Sequence, residues 1–312
     1  MQRFIAQRLL QSLLALVFLS VVVFFMTWAT GDPVRFIKPP EEITEEEIEE
    51  LRRKLGLDRP LVVQYVVFVS RAVRGDFGYA ITLGQLPVTR VIMSRLPATL
   101  HLGAMAMAVV LIVAFPLGVF AAYNRGRAAD TLARALAFAG QSVPEFWLAL
   151  ILILIFGVQL KWLPIAGREG GWTQWILPSI TAGWFSMAGL LRITRSSVLE
   201  VLGSDYIRTA RAKGMHERVV LWRHTVRNAL ITIITAVALL MVGMLNGIVL
   251  VETVFGWPGL GRLAVSAVTA RDLFLVQGIV LLIGAMYLCA NLLADIMYAL
   301  VDPRIKLGGS QR

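Results

Sequence analysis

The residues that could do chemistry are few and far apart in the sequence. The three histidines are His101, His216 and His224, and the single cysteine, Cys289, lies in an apolar run. The spacing of eight residues between His216 and His224 is not one that metal ligands use. A phosphate-binding loop needs Gly-Lys before Ser or Thr, and the sequence contains no Gly-Lys dipeptide. We therefore expect no catalytic set, no metal site and no cofactor on this chain.

Polar residues inside apolar runs are a second class of candidate, because each one costs free energy in lipid unless it faces protein or water. Glu145 follows Pro144, and Asn246 lies between Gly243 and Gly247, whose spacing permits close helix contact. These polar groups could join neighbouring helices or could line a polar pathway, and both interpretations stay open. The candidates for a pathway or a subunit interface are Glu145, Gly243, Asn246, Gly247, Glu252, Asn291 and Asp295.

A third candidate is the basic stretch "DYIRTARAKGMHERVVLWRHTVRNA", which begins at Asp205. Asp205 and Lys213 suit the two ends of the dipole of a short helix. Gly214 can take the left-handed conformation that ends such a helix. A second helix is predicted to begin at about Glu217 and to continue into the next apolar run. The stretch therefore predicts two helices joined at a glycine.

The short helix has features that a helix seated in a groove requires. Small Ala210 and Ala212 keep one face slim, and Tyr206 and Ile207 would supply apolar anchors. The alternative is a basic loop that only marks the cytoplasmic side of the membrane. The candidate contact with a partner comprises Asp205, Tyr206, Ile207, Arg208, Thr209, Ala210, Arg211, Ala212, Lys213 and Gly214.

The rest of the sequence must position these groups in a membrane. It is 57% hydrophobic and only 16% charged, and apolar runs of about 20 residues, enough to cross the hydrocarbon core, recur along it. These runs predict an all-α polytopic membrane protein with six transmembrane helices. Their approximate ranges are 9–29, 98–123, 134–158, 175–195, 229–252 and 276–300.

The basic residues set the predicted orientation. The net charge of +10 is spread between the spans, which favours positive cytoplasmic loops over nucleic-acid binding. The segment 192–227 carries eight Lys or Arg residues against three acids. Six spans leave both termini on one side of the membrane. Residues 1–30 contain an uncleaved first span and are therefore predicted to begin in the cytoplasm, and the tail 301–312 is predicted to be cytoplasmic as well. Residues 98–300 are predicted to form a core of five helices.

Residues 31–97 are predicted to form a helical lobe outside the membrane. In "ITEEEIEELRRKLG", Thr44 and Glu47 form a capping box, and Gly56 is placed to end the helix. A second helix follows, and its inward face carries Tyr65, Phe68 and Val69. The lobe could bind a partner, or it could only shield the ends of the spans.

Four stretches give the sequence a family resemblance over nearly its whole length. They are "RFIAQRLLQSLLALVFLSVVVFF" with the following "GDPV", the lobe stretch "LRRKLGLDRPLVVQYVVFVSRAVRGDFGYAI", "SVPEFWLALILILIF" with "LKWLPIAG", and "VETVFGWPGLGRL". In this order and spacing they resemble the membrane subunits of binding-protein-dependent ABC importers, in the branch of the dipeptide, oligopeptide and nickel permeases. The resemblance implies the transmembrane core of a type I ABC importer.

The resemblance also gives the basic stretch a role. The family's coupling signature reads Glu-Ala-Ala, three residues, Gly, and then nine residues to Ile-x-Leu-Pro. Gly214 stands at the Gly, and Arg208, Thr209 and Ala210 occupy the Glu-Ala-Ala positions, so the signature's Glu is absent. The Ile, Leu and Pro positions hold His224, Val226 and Arg227. The resemblance implies a coupling helix at about 204–214 that contacts the ATP-binding subunits.

The resemblance implies an importer that moves di- or oligopeptides by alternating access, with glutathione, nickel chelates or oligosaccharides as other cargo of the same branch. Its expected partners are membrane lipid, a second homologous permease subunit, an extracytoplasmic binding protein and two ATP-binding subunits that hold ATP and Mg. An ion-coupled secondary transporter is a more distant alternative. It would need acid or His relays at mid-membrane and an internal inverted repeat, and neither is evident in the sequence.

Overall fold

The computed structural model describes residues 2–29, 44–168 and 170–301. Helices dominate this part of the chain, as the apolar periodicity predicts. The elements are α1 (Gln2–Ala29), α2 (Glu45–Leu55), α3 (Leu61–Val73), β1 (Tyr79–Ala80), β2 (Leu86–Pro87), α4 (Val88–Tyr123), α5 (Ala128–Ser142), α6 (Glu145–Leu152), the π-helix π1 (Ile153–Gln159), α7 (Thr173–Leu202), α8 (Asp205–Ala212), α9 (Glu217–Val219), the π-helix π2 (Val220–Val226), α10 (Arg227–Val254), α11 (Leu260–Thr269) and α12 (Leu273–Val301).

Five helical stretches are long and apolar enough to cross a membrane: Ile5–Met26, Val88–Tyr123, Thr173–Leu202, Glu217–Leu245 and Leu273–Met297. The third predicted span is not a single helix. It consists of Ala128–Ser142 and Glu145–Gln159, which meet at a bend of 108°. Pro144 forces the break, because the residue before a proline is driven out of the helical region, and Val143 is accordingly extended (φ −88°, ψ 120°).

The described residues form two compact units. One contains residues 2–5, 99–257 and 290–301, and the other contains residues 6–98 and 258–289. In the first unit α7 is the most buried of the spans. Glycines let its neighbours approach closely: a Cβ on Gly140 of α5 would lie 2.5 Å from Ala188 Cβ, and a Cβ on Gly183 would lie 2.9 Å from Val110 Cγ2. The core of this unit therefore centres on α7, which packs with residues of α4, α5 and α10.

The second unit confirms the predicted helices of the 31–97 segment. The Thr44 side chain accepts from Glu47 N and the Glu47 carboxylate accepts from Thr44 N, so the capping box is present, and Gly56 ends α2 with φ 71°. Tyr65 and Phe68 of α3 face inward, against α1. The Tyr65 hydroxyl lies 2.8 Å from the Ser20 hydroxyl, and both rings contact Phe24, with centroids 5.5 and 5.7 Å away.

A small β-hairpin in the same unit has no counterpart in the sequence-based prediction. β1 and β2 pair antiparallel, with Tyr79 opposite Pro87. The buried Asp272 carboxylate fixes the loop between them, since it accepts from both the backbone N and the hydroxyl of Thr82 at 2.9 Å. Asp272 also accepts from Leu275 N at 3.2 Å. The hairpin is thereby attached to the start of α12.

Candidate functional site

The basic stretch folds as two helices joined at a glycine, as predicted. Asp205 occupies the first turn of α8, and Lys213 follows the helix as its C-cap. Gly214 has φ 76°, the left-handed conformation that a glycine adopts without steric cost. The His216 side chain then accepts from Arg218 N at 3.2 Å, which caps the start of α9. The chain reverses at Gly214 and enters the helix that leads into the fifth span.

One face of α8 is buried within this chain. Ile207 is 0% exposed and Ala210 is 6% exposed, and both pack with the fully buried Val220 of π2. The prediction that Ala210 lies on a slim face for a partner's groove is therefore wrong. Ala210 is small because α8 lies close to π2, and Ile207 anchors the helix to its own chain rather than to a partner.

The opposite face of α8 is exposed and carries three basic residues and one acidic residue. The Arg208 guanidinium lies 3.3 Å from the Asp205 carboxylate, and both side chains are largely exposed. Ala212 and Lys213 are exposed as well, and Tyr206 is about half exposed. The surface available to a partner consists of Asp205, Tyr206, Arg208, Thr209, Arg211, Ala212 and Lys213.

Two polar contacts join α8 to the helix after the turn. Arg211 donates from Nε to Glu217 Oε2 at 3.2 Å and from Nη2 to Glu217 Oε1 at 2.6 Å. This bidentate hydrogen bond raises the pKa of the Arg211 guanidinium. The Tyr206 hydroxyl forms a hydrogen bond with His224 Nδ1. Sequence reasoning missed both contacts, although an Arg and a Glu on either side of a helix-ending glycine were a signal for the first.

The helix after the turn is continuous from Glu217 to Val254, with π2 inside it. In π2 the Thr225 hydroxyl donates to Val220 O at 3.0 Å, five residues back. π-helical turns are rare in proteins overall, and many of those that occur lie at functional sites. α8 is therefore attached to α9 by the Arg211–Glu217 ion pair, and to π2 by the apolar cluster around Val220 and by the hydrogen bond between Tyr206 and His224.

A buried ion pair that the sequence did not suggest lies in the same unit. Asp130 in the first turn of α5 is 1% exposed. Arg195 of α7 donates from Nε to Asp130 Oδ1 at 2.6 Å and from Nη2 to Oδ2 at 3.0 Å. Gly126 N donates to Asp130 Oδ2 at 3.0 Å. These contacts fix the N-terminal end of α5 to α7.

The predicted pathway residues are only partly brought together. The Glu145 side chain packs on Gly247, where an added Cβ would lie 3.0 Å from Glu145 Oε1. Gly243, one turn away, has open space instead, since no atom of the described residues lies within 4 Å of an added Cβ. The predicted close contact therefore occurs at Gly247 and not at Gly243 in this chain. Asn246 lies on the same helix, and its side chain falls outside the described residues.

The remaining pathway candidates lie elsewhere. Glu252 of α10 is 0% exposed and accepts from the Thr99 hydroxyl at 2.6 Å. Asn291 and Asp295 lie four residues apart on α12 and are half-buried, and both have interaction partners.

An aromatic cluster in the first unit was also missed by sequence reasoning. The His101 ring meets the edge of Trp175 at 4.6 Å and stacks on Trp257 at 6.1 Å between centroids. The Arg168 guanidinium lies 5.9 Å from the centroid of Trp257. His101 was considered only as a catalytic or metal-binding residue, and it instead packs between tryptophans.

Next to α8 the chain forms an open pocket of ≈ 550 Å³, a volume that a small ligand or a partner's side chain could enter. Its lining comes from the end of α7, from α8 and from the start of α10. The lining residues are Ser197, Glu200, Val201, Ser204, Tyr206, Asn228, Ala229 and Thr232.

Comparison with known proteins identifies the family. Residues 114–307 match the family described as "Binding-protein-dependent transport system inner membrane component", and residues 1–103 match the N-terminal region of such membrane components. The chain is 41% identical over 307 residues to the "Glutathione transport system permease protein GsiC" of Escherichia coli, covering 98% of this chain and 99% of that protein. The protein of the same name from Shigella dysenteriae gives the same identity and coverage.

A solved structure supports the fold. The crystal structure of an amino acid ABC transporter with histidines superposes with a TM-score of 0.52 at 19% sequence identity, covering 70% of this chain and 95% of that one. The family and its relatives are transport subunits of multi-pass membrane assemblies and not enzymes, and they work with a binding protein, an ATPase and a permease partner. The chain belongs to the family of binding-protein-dependent transport system inner membrane components, and it is a permease subunit of an ABC importer.

Proposed function

We propose that this permease moves di- or oligopeptides or the tripeptide glutathione across the cytoplasmic membrane by alternating access. The support for this cargo class is the 41% identity, over nearly the full length, to permeases named for glutathione transport. Nickel chelates and oligosaccharides are the alternatives that the wider branch suggests. The chain would act beside a second permease subunit, with two ATP-binding subunits that hold ATP and Mg.

The coupling site is the exposed face of α8. Closure of the two ATP-binding subunits pushes on this face, and the attachment of α8 to π2 transmits the movement to α10. The observation that carries this proposal is the double attachment across Gly214, by Arg211 with Glu217 and by Tyr206 with His224. A basic loop that only marked the cytoplasmic side would need no such attachment.

The proposed orientation places α8, both termini and the segment 192–227 in the cytoplasm. The excess of Lys and Arg in that segment supports this orientation. The lobe 31–97 then lies outside, where the binding protein delivers cargo. The capping box of α2 and the packing of α3 on α1 favour a folded lobe that can serve as part of the docking surface.

The proposed function is tested by purifying this chain with its partner subunits and reconstituting the complex in proteoliposomes. ATP hydrolysis is measured with and without cargo-loaded binding protein, and uptake is measured for glutathione, dipeptides, a nickel chelate and an oligosaccharide. We expect hydrolysis to rise with loaded binding protein and uptake of glutathione or peptides to require ATP. Uptake by this chain alone, driven by an ion gradient, would show a secondary transporter instead.

A further inference from the structure

Glu145 is a carboxylate placed at the break in the third span. It is the first residue of α6, directly after the bend at Pro144, and its side chain is half-buried. An added Cβ on Gly247 would lie 3.0 Å from Glu145 Oε1 and 3.1 Å from Cδ. The glycine therefore makes room for the carboxylate against the backbone of α10.

The Glu145 carboxylate differs from the other carboxylates of the long apolar helices that are buried or half-buried in the described part of the chain. Asp130 is paired with Arg195, Glu252 accepts from Thr99, and Asp295 has partners. Within the described part of the chain, Glu145 has neither an ion pair nor a hydrogen bond. A carboxylate withdrawn from water without a partner is costly, so Glu145 calls for a partner other than the side chains that the structure describes.

Open space adjoins this carboxylate. Gly243 lies one turn from Gly247 on α10, and the described part of the chain places no atom within 4 Å of a Cβ added there. Leu239 and Leu250 share this face of the helix, and they are 64% and 51% exposed. Glu145 thus lies at the edge of a face of α10 that the described residues leave uncovered. A cargo site at Glu145 requires this face to border the pathway between the two permease subunits.

The single carboxylate indicates the chemistry of its partner. Metal ions such as nickel need several ligands in a defined geometry, and no group of three His, Cys, Asp or Glu side chains occurs among the described residues. A primary ammonium is satisfied by one carboxylate, because N⁺–H···O⁻ hydrogen bonds are short and about twice as strong as neutral ones. The single negative charge of the carboxylate also balances the single positive charge of an ammonium group.

We propose that Glu145, held against Gly247, binds the primary ammonium group of the cargo on its way through the permease. This inference rests on the proposed import of peptides or glutathione, all of which carry such a group at the amino end. Glu145 selects at the permease for cargo with a free amine, in addition to any selection by the binding protein. N-acylated cargo, which has lost its positive charge, should pass less readily.

The test uses the whole complex in proteoliposomes with its binding protein. A protease digest of casein and glutathione are supplied with free and with N-acetylated amines, and uptake of each form is measured by mass spectrometry. The wild-type complex should favour the free-amine form, and Glu145→Gln should lower the ratio of free to acetylated uptake about tenfold. The binding protein is the same in both complexes, so its own preference cancels from this change. Glu145→Asp, which keeps the charge, should retain part of the preference.

A second variant keeps the carboxylate and moves it. Gly247→Ala puts a methyl group where the end of the Glu145 side chain now lies, and that flexible end can shift. We expect a smaller fall in the same ratio, and this variant carries the test if Glu145→Gln does not assemble. An unchanged ratio, or an equal loss of both forms, would overturn the proposal. Uptake of neither form by the wild-type complex would overturn both this site and the peptide cargo, while stimulation of ATP hydrolysis by the binding protein would leave the importer itself established.

Discussion

Arg211 and Glu217 face each other across the left-handed Gly214, and two guanidinium nitrogens reach the two carboxylate oxygens at 3.2 and 2.6 Å. This fork holds the angle between α8 and the helix that enters the fifth span. Both side chains are about half exposed, so solvent screens the pair and its contribution to stability is small. In the proposed coupling, its role is to fix this angle while the ATPase subunits move.

Removing the fork should weaken coupling more than stability. Arg211→Ala should cost on the order of 0.5 kcal/mol of folding free energy but should lower the stimulation of ATP hydrolysis by loaded binding protein. Arg211→Glu combined with Glu217→Arg rebuilds an ion pair with reversed charges and should restore part of the stimulation. The check is ATPase activity of the reconstituted complexes. If the double variant loses as much stimulation as Arg211→Glu and Glu217→Arg lose separately, added together, the pair has no coupling role.

The two alanines of α8 should respond differently to the same substitution. Ala210 is buried against π2, so Ala210→Arg should separate α8 from π2 and lower the thermal unfolding temperature of the complex. Ala212 is on the exposed face, so Ala212→Arg should leave thermal stability unchanged and reduce the amount of ATPase subunit that copurifies. The opposite pattern, with Ala210→Arg releasing the ATPase from a stable permease, would place Ala210 on the face that contacts the ATPase.

The buried Asp130–Arg195 pair should stabilise the core. Asp130→Asn leaves the Arg195 guanidinium without its anion and should cost about 3 kcal/mol. The matched control is Arg134→Gln, because Arg134 lies 3.7 Å from the same carboxylate but its side chain is 57% exposed. Thermal unfolding in detergent should therefore shift clearly for Asp130→Asn and hardly at all for Arg134→Gln. Equal shifts would mean that the buried pair is not the stabilising contact.

The α2 helix should contribute to docking of the binding protein. Deleting residues 44–56 should weaken the affinity of the reconstituted complex for its binding protein while the ATPase subunits remain bound. Thr44→Ala, which removes only the cap at a cost of about 1 kcal/mol, should have a smaller effect in the same direction. The measurement is binding of labelled binding protein to proteoliposomes. Unchanged affinity after the deletion would assign the lobe a shielding role only.

Local signals in the sequence predicted the local structure well. The capping box at Thr44 and the turn at Gly214 are each set by residues a few positions apart, and both are present in the structure. Pro144 signals the break before α6. The surrounding apolar run nevertheless has the length of one span, and its length predicts a single unbroken helix. The family and the type of transporter followed from the order and spacing of whole segments.

Contacts between distant residues had no such signal. Asp130 and Arg195 are 65 positions apart, and Thr82 and Asp272 are 190 apart, so no spacing rule connects them. The face of Ala210 was assigned wrongly for a physical reason. A small residue suits close packing inside a chain as well as entry into a partner's groove, and composition alone does not separate the two.

Gly214 provides the most direct test of the proposed coupling. A β-branched residue there must leave the left-handed conformation or accept a strain of about 1–2 kcal/mol, so Gly214→Val should change the angle of α8 without disturbing the spans. Gly203→Ala is the matched control, because Gly203 has φ −80° and an added Cβ would meet only ordinary contacts. Gly214→Asn should be milder, since Asn tolerates the left-handed region.

The decisive measurement is the stimulation of ATP hydrolysis by cargo-loaded binding protein, made on reconstituted complexes of equal subunit composition. We predict that Gly214→Val keeps basal hydrolysis and binds the loaded binding protein but loses stimulation and uptake, while Gly203→Ala behaves like the wild type. Full stimulation and uptake in Gly214→Val would contradict the account and would leave the basic segment as a signal for membrane topology alone.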